Sequence, residues 1–135
     1  MTYYLDDIAD WLVARPSMAT FVVGTNLFVG RMHDSPNNAI ALIGYEGSAP
    51  FETLGGARVP EIENPRFQVS VRQSSFIAAR DWSDTILREL CLVVNLTIAS
   101  KVWQRVMPQG NPALLGYDDK YLTTFVTNYA VQKTF

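Results

Sequence analysis

The sequence predicts an α+β domain: a mainly antiparallel sheet with two helices packed on one face, in a single domain with one long loop. Three observations carry this. Two segments repeat their apolar residues at helical spacing, and several others alternate with a period of two. The stretch from Glu46 to Pro65 follows neither rule.

The first helical segment runs from about Thr2 to Arg15. Leu5, Ile8, Ala9, Leu12 and Val13 fall on one helical face, with Tyr4 and Trp11 flanking the stripe. Asp6 and Asp7 sit in the first turn, where the helix dipole favours negative charge, and Pro16 stops the helix after Arg15. Phe21 to Met32 reads as one or two short strands broken at Gly24-Thr25-Asn26. Ala39 to Tyr45 is nearly all apolar and reads as a central strand.

From Glu46 to Pro65 the composition shifts to three Gly and three Pro with little periodicity. A loop this long is functional or disordered, so it is expected to be mobile in a free subunit and ordered in an assembly. Gly55-Gly56 reads as a hinge within it.

Arg66 to Arg72 alternates cleanly, with Phe67, Val69 and Val71 on one face, and is the strongest strand signal in the chain. The second helix spans about Ser75 to Cys91. Phe76, Ala79, Trp82, Ser83, Ile86, Leu87 and Leu90 line its inner face, with Arg80, Asp84 and Arg88 outward. Leu96 to Met107 alternates again as one strand. In a regular strand Trp103 would face away from Leu96, Ile98 and Val102, which makes it a candidate partner contact. Pro108 to Pro112 forces a turn, and the last strand runs from Tyr121 to about Lys133.

At 135 residues the chain suits one core burying about two thirds of the unfolded surface. With 11 Lys+Arg against 13 Asp+Glu and no local basic cluster, it lacks the footprint of a nucleic-acid binder. The lone cysteine, Cys91, excludes an internal disulfide and reads as a small buried apolar residue. No apolar run is long enough for a bilayer, and the start lacks a basic signal region, so a soluble protein without a membrane partner is expected.

Candidate chemistry is sparse. His33 beside Asp34 lacks a nucleophile held by a third element and reads as a solvated turn histidine. One His and one Cys exclude the usual zinc sites. Asp6, Asp7 and Asp10 read as helix-start residues, and Asp118-Asp119 as turn chemistry. The glycines form no dinucleotide or phosphate-loop fingerprint. No catalytic, metal or cofactor site is expected.

Four ordered segments resemble one family. They are the Leu5-Asp6-Asp7-Ile8-Ala9-Asp10-Trp11-Leu12 helix, and Leu27 to Leu42 with its Val29-Gly30-Arg31 and Asp34-Ser35-Pro36 core. Asn64 to Arg72 follows, then Leu115-Gly116-Tyr117-Asp118 with Thr127-Asn128-Tyr129-Ala130-Val131. Together they resemble the minor capsid, or tail-completion (tail terminator), proteins of long-tailed phages. The chain departs from that pattern at Arg15 to Val23 and at Asp119-Lys120.

The resemblance implies a structural virion protein that caps the tail tube as a ring, commonly of six subunits, within the head–tail joining interface. Its partners would be other copies of itself, the tail tube protein and the head–tail connector protein. Its place would be the head-proximal end of the tail, with the host cytoplasm as the site of assembly. Candidate contact residues are Arg31, Asp34, Gly55, Gly56, Arg72, Trp103 and Asp118. The alternatives are another virion component, such as a connector or tube subunit, or a small α+β enzyme or binding domain.

Overall fold

A computed structural model of the chain describes residues 3–52 and 60–134. Helix α1 (Tyr4–Val13) buries Leu5, Ile8, Ala9 and Leu12, the stripe expected from their spacing. At its end the Arg15 guanidinium lies over the Trp11 ring and its Nε donates to the Trp11 carbonyl at 3.2 Å. A short 3-10 turn, Pro16–Met18, follows.

Between Phe21 and Met32 only β1 (Leu27–Val29) is a strand. Asn26 explains the shortfall. Its side chain accepts from the Val22 N–H at 2.7 Å and donates to the Thr20 carbonyl at 3.1 Å, folding that stretch into a turn.

The expected loop from Glu46 to Pro65 is largely strand. β2 (Ala39–Glu52) and β3 (Pro60–Gln73) form a long antiparallel pair, parallel to β1 on the β2 side. Register shifts after Tyr45, Ser48 and Phe51 break the two-residue period, which is why no alternation is visible there. Pro65 lacks an N–H and makes no ladder pair with either neighbouring strand. Gly55 and Gly56 lie outside the described residues.

Helix α2 (Phe76–Cys91) starts at Ser75, whose hydroxyl accepts from the Ala78 N–H. Ala79, Ser83, Ile86 and Leu90 are buried. Cys91, expected inside, is exposed, because it follows Leu90 onto the next part of the helix circumference.

The expected strand from Leu96 to Met107 is two strands, β4 (Val94–Ile98) and β5 (Lys101–Pro108). Ala99 and Ser100 both adopt positive φ, +51° and +62°, making the tight turn of a two-residue hairpin. The reversal places Trp103 directly across from Leu96 and into the core, where it is 0% exposed. Trp103 is therefore a packing residue of the subunit and not a surface anchor.

β6 (Ala113–Tyr117) and β7 (Thr123–Thr134) complete the sheet, which runs β1-β2-β3-β7-β5-β4, with β6 also on β7. β5 and β6 share one flank of β7: β5 pairs Tyr129 to Lys133, and β6 pairs Thr123 to Val126. The Gln109 N–H bonds the Asn128 carbonyl at 2.8 Å in the gap between them. Both helices cover one face. α1 packs on β1, β2 and β4, and α2 on β3, β5 and β7. Phe67 and Tyr129 stack at 5.2 Å in that core.

Candidate assembly interface

Arg72 lies near the end of β3, opposite Ala39 on one side and Thr124 on the other. Its guanidinium reaches over the segment joining β1 to β2. Nε donates to the Asn37 carbonyl at 2.9 Å, and Nη2 donates to the His33 and Pro36 carbonyls at 2.6 and 2.5 Å. A planar, always-charged fork can meet several carbonyls at once, which an ammonium on a flexible stem does poorly. Asn38 Oδ1 accepts from the Ser74 N–H at 3.0 Å, and the His33 ring lies flat on Phe28 with centroids 4.0 Å apart. The Asp-Ser-Pro-Asn-Asn turn is thus fastened to the end of the sheet.

The β6–β7 turn meets it there. Asp118 Oδ1 accepts from the Lys120 and Leu122 N–H groups, each at 2.9 Å, which fixes the turn locally. Asp34, Arg72, Asp118, Asp119, Lys120 and Leu122 line a cleft of about 180 Å³. Three candidate residues separated in sequence, Asp34, Arg72 and Asp118, therefore converge. Arg31 is exposed at the start of the same turn but does not line the cleft.

The cleft carries three carboxylates against one guanidinium and one ammonium, so it suits polar and cationic groups on a partner surface. The phenols perturbed by burial lie elsewhere. Desolvation holds Tyr4 and Tyr129 well above the ordinary tyrosine value, and Tyr4 donates to the Arg66 carbonyl at 2.9 Å inside the fold. Among the described residues no group of His, Cys, Asp and Glu side chains is arranged to hold a metal ion.

Sequence reasoning missed a second kind of surface. Leu114, Leu115 and Tyr117 on β6 are exposed, as are Phe76 and Ile77 at the start of α2. The signal was the uncharged run Ala113 to Tyr117, and a register shift between Leu114 and Gly116 leaves Leu115 without a ladder partner on β7.

No curated protein matches the chain. The family model described as bacteriophage tail terminator protein matches residues 9–135, a span that takes in the second half of α1, the whole sheet and α2. The chain therefore belongs to the bacteriophage tail terminator protein family and is a structural component of the phage tail.

Proposed function

We propose that this protein caps the polymerised tail tube as a ring, commonly of six copies, and forms part of the surface that joins tail to head. The observation that carries this reading is the family match over residues 9–135. Its partners are then other copies of this chain, the tail tube protein and the head–tail connector protein. The protein acts at the head-proximal end of the tail, after assembly in the host cytoplasm.

Within this reading, the fastened turn and the cleft beside it form the polar part of the contact surface. Arg31, Asp34 and Asp118 are exposed there, and Arg72 holds the turn in shape behind them. A preformed turn limits the ordering entropy that docking would otherwise cost. Immunogold electron microscopy of assembled tails tests the proposal. Label confined to the head-proximal end, over a ring, is expected. Tails that join heads without carrying the protein at that end would overturn it.

A further inference from the structure

Exposed apolar side chains gather at both ends of α2. At its amino end, Phe76 packs edge-on against Phe125 with ring centroids 5.3 Å apart, and Leu114 is the β6 partner of Phe125. Ile77 and Leu115, 71% and 70% exposed, extend this patch together with Tyr117. At the carboxyl end, Leu92 and Val94 are exposed beside a cavity of about 540 Å³ walled by Cys91, Val94, Arg105, Met107 and Pro108 among others. The ends of a helix from Phe76 to Cys91 stand about 22 Å apart.

We infer that these two surfaces are the halves of one head-to-tail contact, the β6–α2 patch of each copy seating in the β4–β5 cavity of the next copy of this chain. The occupant's identity rests on the ring reading above. A closed ring needs two different, complementary surfaces on every subunit, whereas a two-fold dimer needs only one self-complementary surface. One surface here carries exposed leucines, and the other is a cavity.

Charge agrees with the pairing. The Asp118-Asp119-Lys120 segment that follows the β6 patch is net negative, while the cavity lining holds Arg105 and no carboxylate. The edges of the sheet agree as well. On β1, the Leu27 N–H donates to Val22 and its carbonyl accepts from Gly24, so that edge is already occupied where Leu27 faces outward. β6 has β7 on one side, carries no charged residue and has no strand on its other side among the described residues, the condition in which an edge accepts another chain.

The single native thiol, Cys91, lies in the cavity wall and serves as a probe. A second protein carries Leu115→Cys with Cys91→Ser. Treated with a short bismaleimide in assembled tails, the two are expected to yield crosslinked dimers when mixed and none when either is alone. Leu115→Cys on the natural background is expected to give a ladder that stops at the full ring. Ile77→Cys, on the helix side of the same patch, repeats the test should the first variant fold poorly. Dimers from either protein alone, or no mixed dimers, overturn the inference. Microscopy of the same tails separates the two readings: rings without mixed crosslinks leave the ring and remove this contact, and mixed crosslinks without rings do the reverse.

Discussion

Lys133 forms an ion pair with Glu63, its direct partner across the β3–β7 ladder. The ammonium is buried, donates also to the Thr134 carbonyl, and stands 5.9 Å from the centre of the Trp103 ring. Removing the carboxylate alone strands a buried charge, so Glu63→Gln is expected to cost about 2–3 kcal/mol. That is less than a fully enclosed pair costs, because Glu63 keeps some solvent. Lys133→Met with Glu63→Gln is expected to recover most of the loss. Urea denaturation of the single and double variants checks the pattern, and additive losses would contradict it.

Trp103 fills the core, so Trp103→Ala is expected to destabilise the isolated protein by about 3–5 kcal/mol. Thermal unfolding measures this. A variant that unfolded normally yet failed to assemble would return Trp103 to the surface.

The two arginines at the turn separate by role. Arg72→Ala removes hydrogen bonds from a charged donor to three carbonyls and should cost about 1.5–3 kcal/mol, with Arg72→Lys recovering only part. Arg31→Glu should leave stability within about 0.5 kcal/mol of the natural protein while lowering the yield of joined particles. Denaturant midpoints and plaque titres read the two effects independently.

Ala99 and Ser100 occupy the left-handed region that suits Asn-Gly. The pair Ala99→Asn with Ser100→Gly is expected to raise stability by about 1 kcal/mol, since Ala99 has no polar side chain to offset the strain there, while Ser100 offsets part of its own by donating to the Ala99 carbonyl at 2.6 Å. A higher urea midpoint with an unchanged slope is the expected result.

Burial raises the proton affinity of the Tyr4 and Tyr129 phenols in the folded state. The unfolded chain releases those protons near pH 10 while the folded protein still holds them. Their contribution to stability is complete below that pH and is lost as pH rises beyond it towards the raised folded values. Urea midpoints are expected to fall between pH 9 and pH 11, and a midpoint rising over that interval would contradict the burial of both phenols.

Spacing alone located the buried stripe of α1, the centre of that of α2 and the inward set Phe67, Val69 and Val71, because each depends on neighbours within one element. Phe76, expected on the inner face of α2, is exposed because it stands at the helix's first turn, at the rim of the core. The β4–β5 turn stayed hidden because Ala-Ser carries no turn signature, and the far ends of β2 and β3 because bulges and Pro65 erase alternation. The cleft was legible only as separate residues. Arg72 meets Asp34 and Asp118 through strand pairings that join distant parts of the chain, and no local pattern encodes such a meeting.

The position of β7 bears on how the protein is made. Among the described residues it is the seventh strand in chain order, yet it stands between β3 and β5 and is the only strand partner of β6. Until it emerges, the β1–β3 and β4–β5 ladders are separate fragments with open edges, and the nascent chain has no finished surface to offer a neighbour. A chain that stops before Thr123 is therefore expected to hold neither ladder in its native place, because the strand that unites them is missing.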